Sequence, residues 1–273
     1  MARGWRLTKV AWDLIRRDPT MIAIALIGTG FGLAGGAATL YFSGWFRSPT
    51  HSNGSLALAG LIALYPMTFI SVFFNVALAG AAAASLDGRP IGVREALDIS
   101  WKRIGRIAQW ALLAAGVGFI LNEVAARIPG AGRLASWLLG AAWSLATIFA
   151  VPLLALEGTG PLETAKGSVR LIKGKWGEGI TGLVSIAAWS TIAFVPIAIA
   201  FGAGLAVRGN DPNLGAALIA IAIGGLLLIS ALALATREIF AVALYRYASG
   251  SSNTGGFAEA DLAEPFSRRA KSD

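Results

Sequence analysis

Six long apolar stretches run through this chain, and the loops between them carry basic residues on alternate sides. The stretches are Met21 to Phe46, Leu56 to Ser85, Ile107 to Ala126, Leu134 to Leu156, Ile180 to Val207 and Ala216 to Tyr247. A helix needs about 20 apolar residues to cross a hydrocarbon layer of roughly 30 Å. Each stretch reaches that length, so the expected fold is all-α: a polytopic membrane protein with six transmembrane helices. Several stretches are longer than needed, which predicts tilt or extension beyond the bilayer. Pro66, Pro152 and Pro196 fall inside spans and predict kinks that neighbouring helices can accommodate.

The loops set the orientation. Lys and Arg gather in the N-terminal segment, in the second and fourth connections and at the C-terminal end, eighteen in all. The other side holds Arg47, Arg127, Arg133 and Arg208, while Arg237 lies within the sixth stretch. Basic loops stay inside, so both termini are expected in the cytoplasm, and the expected location is the inner (cytoplasmic) membrane of a bacterium, multi-pass. The same distribution accounts for the net charge of +8 without nucleic acid as a partner. Only 14% of residues are charged, and mean hydropathy is +0.66. A soluble domain carries about a quarter charged residues. The first stretch follows basic residues as a signal peptide would, but its length exceeds a typical h-region of about 7–15 residues and it reads as a retained helix.

Each cytoplasmic connection also carries an amphipathic stretch. Trp5 to Arg17 places Leu7, Val10, Ala11, Leu14 and Ile15 on one face, the spacing of a helix lying in the membrane interface. Ile91 to Ile104 and Pro161 to Lys173 are the second and third, both beginning at Gly/Pro punctuation. The even-numbered spans share a short pattern: Phe74-Asn-Val-Ala-Leu78, Phe149-Ala-Val-Pro-Leu153 and Phe240-Ala-Val-Ala-Leu244. Together these suggest a threefold internal repeat of surface helix plus membrane hairpin over 5–86, 91–157 and 161–248. These units form a single membrane domain, 1–248. The segment 249–273 is rich in Gly, Ser and Asn before it becomes mixed in charge, and is expected to be a disordered cytoplasmic tail.

Gly30-Phe31-Gly32-Leu33-Ala34-Gly35 matches the dinucleotide fingerprint in letters, but that motif must follow a strand and open a helix. Here it lies inside an apolar run. Gly28, Gly32 and Gly36 instead form a four-residue repeat suited to close helix packing, within the chain or against a second copy. Charged and polar residues inside or at the ends of spans are the candidates for a polar path or buried contact: Asn75, Glu123, Arg237 and Glu238. Arg237 and Glu238 point about 100° apart and cannot simply pair with each other, so a buried role requires partners such as Asn75 or Ser71 on another helix. An interfacial Arg that snorkels is the plainer reading of Arg237.

No hydrolase, metalloprotease or P-loop signature is present. The chain has no Cys and one His, His51, so neither a metal nor another cofactor is expected, and the chain is read as non-enzymatic. Asn53-Gly54-Ser55 is a glycosylation sequon in letters. Trp5, Trp12, Trp45 and Trp176 read as interfacial anchors, and Phe257, Leu262 and Phe266 could dock on a partner.

The run Pro152-x4-Glu157-x3-Pro161-x3-Ala165-x2-Ser168, continuing to Trp176-Gly177, resembles an element of uncharacterised bacterial six-helix membrane proteins. These are similar to the membrane domain attached to some glycerophosphoryl diester phosphodiesterases. The resemblance implies an all-α polytopic fold and no catalytic residue, because that family's chemistry resides in a separate soluble domain. Two functions remain open. One is a membrane scaffold or accessory subunit acting through anionic lipids of the cytoplasmic leaflet and through a membrane-protein partner or homo-oligomer. The other is an ion channel or small-solute transporter with a polar path between three hairpins.

Overall fold

The computed structural model describes residues 13–16, 18–42, 53–127, 132–176 and 184–251. Most of the first amphipathic stretch, His51 and the tail beyond residue 251 lie outside these, as do the side chains of Trp5, Trp12, Trp45 and Trp176. Among the described residues the secondary structure is helical, with no strand. Nine helices follow the first described turn: α1 (Thr20–Phe42), α2 (Asn53–Leu86), α3 (Val93–Lys102), α4 (Ile104–Arg127), α5 (Gly132–Ala146), α6 (Ala150–Pro152), α7 (Pro161–Trp176), α8 (Val184–Val207) and α9 (Pro212–Ala248). A π-helical turn, Leu153–Glu157, continues directly from α6.

Four of these contain segments long and apolar enough to cross a membrane: Thr20–Ala38, Leu64–Leu86, Ile104–Ala125 and Pro212–Ala248. Pro196–Val207 is a shorter apolar helical segment. The helices pack mainly as antiparallel neighbours, α1 on α2, α4 on α5 and α8 on α9. The second half of α2 is the centre. From Val72 to Leu86 it is almost wholly buried, against α1, α3, α4, α6 and α9. Its run Ala79-Gly-Ala-Ala-Ala-Ala84 has no bulk to hold neighbours away, so their backbones come close. A side chain at Gly80 would begin 2.5 Å from the Ile99 Cδ1 of α3.

The expected span Leu134–Leu156 is not one helix. α5 stops at Ala146, and a turn over 147–149 separates it from α6. Pro152 has no N–H for the Ile148 carbonyl, and its ring crowds that oxygen. The Phe149 N–H is instead given to Ser168 Oγ on α7, at 3.1 Å. By contrast α2 and α8 continue as helix through Pro66 and Pro196.

Local signals explain the other boundaries. Asp18 Oδ1 accepts the Thr20 N–H at the turn that opens α1. Asp211 caps α9 by accepting from the N–H groups of Asn213 and Leu214, with Pro212 at the first helical position. α3 ends at Arg103, whose N–H returns to the Ser100 and Trp101 carbonyls, and α4 departs immediately in a new direction. The described residues have three with positive φ, all glycines, each just beyond the C-terminal end of α2, the π turn or α9: Gly88, Gly158 and Gly250. Only glycine enters this region without strain from a Cβ.

Candidate functional site

The helix ends that carry these glycines converge, and polar groups fasten them. Arg246 of α9 makes a forked ion pair with Asp87 beyond α2, at 2.8 and 2.9 Å, and also donates to the Ala83 carbonyl at 3.0 Å. A planar guanidinium fits this two-oxygen geometry and an ammonium does not. Tyr245, one residue back, donates its hydroxyl to Glu157 at the end of the π turn. Its ring lies 6.4 Å from that of Phe149. Arg103 donates to the Leu156 carbonyl at 3.0 Å, placing a cation at the negative end of the π turn. Its guanidinium covers Gly158 so closely that a Cβ there would lie 1.7 Å from Nη1.

The two surface helices are fastened in matching ways. Ser100 is the eighth residue of α3 and Ser168 the eighth of α7, and both are fully buried. Ser100 donates to the Phe73 carbonyl at 2.7 Å, and Ser168 accepts from the Phe149 N–H. Phe73 O belongs to the peptide unit before Phe74, and Phe149 N to the unit before Phe149. Each serine therefore holds the peptide unit that precedes the phenylalanine of the Phe-x-Val-x-Leu pattern.

With one face of each helix fixed, the other is presented outward. On α3 this face shows Arg94, Glu95, Asp98, Trp101 and Lys102; on α7 it shows Leu162, Lys166, Arg170 and Lys173. Trp101 is 61% exposed and Leu162 66%, although both are large and apolar. Asp98 lies 2.6 Å from Lys102 and raises its pKa, first by hydrogen bonding and then by charge. Glu163 turns back to accept the Gly160 N–H, closing the first turn of α7. Beside this helix a groove of about 730 Å³ lies between α7 and the end of α5.

The residues singled out from sequence are spread across the structure. Glu238 is buried, 2% exposed, and its Oε2 has no hydrogen-bond partner among the described residues. Arg237 faces outward on the same helix, Asn75 is half-buried on α2 and Glu123 is half-buried on α4. Gly28 lies against Phe74, where a Cβ would meet Phe74 Cβ at 2.7 Å, and Gly36 lies near the Met67 methyl. Gly32 has open space around its Cβ position. Contact along α1 instead follows Gly28, Phe31 and Gly35: Phe31 stacks on Phe74 at 5.6 Å, and Gly35 approaches Ile70. Seven residues return within about 20° of the same face, whereas each four-residue step drifts about 40°.

From sequence, Arg103 and Arg246 count only as basic loop residues and Gly158 only as punctuation, and Asp87 carries no signal. Nothing local marks their partners, which are 53 to 163 residues distant. Among the described residues no cluster of His, Asp or Glu could hold a metal ion.

Residues 56–256 match the family of unknown function DUF6159. The chain belongs to this family. The match covers the π turn, α7 and every junction residue named above. No curated protein matches the chain. The DUF6159 assignment agrees with the expectation of an uncharacterised family, and nothing in it leads to glycerophosphoryl diester phosphodiesterases.

Proposed function

We propose that this DUF6159 protein is a non-enzymatic, six-span protein of the bacterial inner membrane. Both termini are cytoplasmic, and it acts as a scaffold or accessory subunit through contacts with anionic lipid and partner proteins. One observation carries the reading. α3 and α7 are fastened by buried serines to the spans beneath them, leaving exposed cations beside exposed Trp101 and Leu162. Basic residues flanked by large apolar side chains suit the boundary between headgroups and acyl chains. Each Lys or Arg near an anionic surface contributes roughly 1 kcal/mol.

In this reading α5, α6 and the π turn make the fourth crossing as a broken helix, and α8 makes the fifth. The matching Ser100 and Ser168 contacts and the three positive-φ glycines support a threefold repeat. Arg237 lies 25 residues beyond Pro212, about 37 Å at a rise of 1.5 Å per residue. That distance exceeds a hydrocarbon core of roughly 30 Å and supports an interfacial Arg.

The test is reconstitution into liposomes with and without phosphatidylglycerol. The contact reading expects no ion or solute flux, and a melting midpoint that rises with the anionic lipid. A second reading, a channel or transporter, is favoured by Glu238, a buried carboxylate inside an apolar helix with one oxygen that has no partner among the described residues. Flux that Glu238→Gln abolishes would put transport in place of the contact function.

A further inference from the structure

The groove between α5 and α7 combines two surfaces that seldom lie side by side. Its floor is apolar, built from Trp143 and Ala146 of α5 and Ala165 and Val169 of α7. Its edge is basic, with Lys166, Arg170 and Lys173 on one side of α7. These cations are four and three residues apart, so they stand in a row along one helix face. Thr147 also lines the groove, but its hydroxyl is already given to the Trp143 carbonyl at 2.8 Å. The Trp143 ring is stacked on Trp110 at 6.1 Å, so the floor is braced from behind. Ser168 holds α7 from its buried side, and the nearest acid on that helix, Glu163, is turned back to Gly160. Among the described residues, the edge thus keeps three positive charges with no lining carboxylate.

We propose that this groove binds one anionic phospholipid of the cytoplasmic leaflet. The phosphate lies along Lys166, Arg170 and Lys173, and an acyl chain lies over Trp143, Ala146 and Val169. Charge complementarity selects the headgroup, and the apolar floor selects a molecule with a tail. The volume of about 730 Å³ falls in the usual range for a small-molecule site. The inference rests on the contact reading and sharpens it, replacing general attraction to the leaflet with one defined position.

Native mass spectrometry of the full chain, titrated with dioleoylphosphatidylglycerol, dioleoylphosphatidylcholine or inorganic phosphate, tests it. One phosphatidylglycerol is expected to bind at least tenfold more tightly than phosphatidylcholine, with no retention of phosphate alone. The triple variant K166Q/R170Q/K173Q should lose that preference, at roughly fivefold per charge. A charge-matched triple outside the groove, R89Q/R94Q/K102Q, weakens general attraction to the leaflet and should reduce this preference at least fivefold less than the groove triple does. Ala146→Trp keeps the cations but fills the floor, and should weaken phosphatidylglycerol binding at least tenfold while the chain still melts cooperatively. Equal losses from both triples would overturn the groove while leaving a diffuse basic surface intact. No loss from either would remove the lipid part of the contact reading as well. Equal binding of both lipids, or binding of phosphate alone, would overturn the proposal.

Discussion

The two halves of α2 and α9 are built from similar residues yet held in different ways. Where the two helices end, α2 is buried from Val72 to Leu86 except for half-buried Asn75, Ala84 and Ser85, and α9 from Glu238 to Tyr245 except for half-buried Phe240. Long-range hydrogen bonds tie them to α3, the π turn and each other. Toward the start of α9 the side chains of Leu214, Ile221, Ile223, Leu226 and Leu228 are exposed. Support there comes from the hairpin partner α8, where Gly204 and Gly215 let the backbones meet. In lipid, exposed apolar groups have little to gain from association, because the tails are as apolar as they are. Packing and polar contacts must therefore decide which end is rigid. The junction end has both, and the far end relies on neighbours in sequence.

Substitutions that separate these two modes should differ in size. Gly158→Leu brings a Cβ into the left-handed region and into the Arg103 guanidinium. The strain together with the displaced Arg103 bond should cost about 3 kcal/mol, read as a large drop in the unfolding midpoint in detergent. Gly174→Ala, with open space at its Cβ position, is the control. Gly28→Val overpacks the α1–α2 contact and should cost about 1–3 kcal/mol, whereas Gly32→Ala should stay within about 0.5 kcal/mol. Comparable losses at Gly28 and Gly32 would restore the four-residue ridge as the contact face.

Arg246→Ala removes the fork to Asp87 and the bond to Ala83, for about 1–2 kcal/mol given partial exposure. Arg246→Lys should recover less than half, since an ammonium cannot span both oxygens. Of the substitutions expected to destabilise, Ser100→Ala and Ser168→Ala have the smallest effects, each about 1 kcal/mol. Similar values from both would sharpen the match between α3 and α7. A loss confined to one would break it.

Much of this architecture could be read from the residues. Apolar length marked six stretches, among them the four helices able to cross a membrane, and Gly/Pro punctuation marked the starts of α3 and α7. Pro152 signalled irregularity, but a kink was expected where the structure has a break. The difference lies in Ser168, which takes the Phe149 N–H from sixteen positions beyond the proline. Of the glycines four apart, Gly28 and Gly36 meet α2 while Gly32 has open space, and Phe31 fills the interval between Gly28 and Gly35. The groove beside α7 was invisible in the sequence. Its basic edge was counted as a topological signal, and its floor joins α5 to α7 across the break and the π turn that follow α5. Long-range polar pairs leave no local trace, so the junction emerged only from the folded chain.

Thiol labelling tests the central claim most directly, because the chain has no Cys and every introduced one is a sole reporter. Lys102→Cys and Lys166→Cys place it on α3 and α7, and Asn210→Cys places it in the α8–α9 turn. With a membrane-impermeant maleimide on intact cells, the account predicts labelling of the Asn210→Cys protein alone, and of all three after permeabilisation. Labelling of the Lys166→Cys protein from outside, as fast as that of the Asn210→Cys protein, would contradict it.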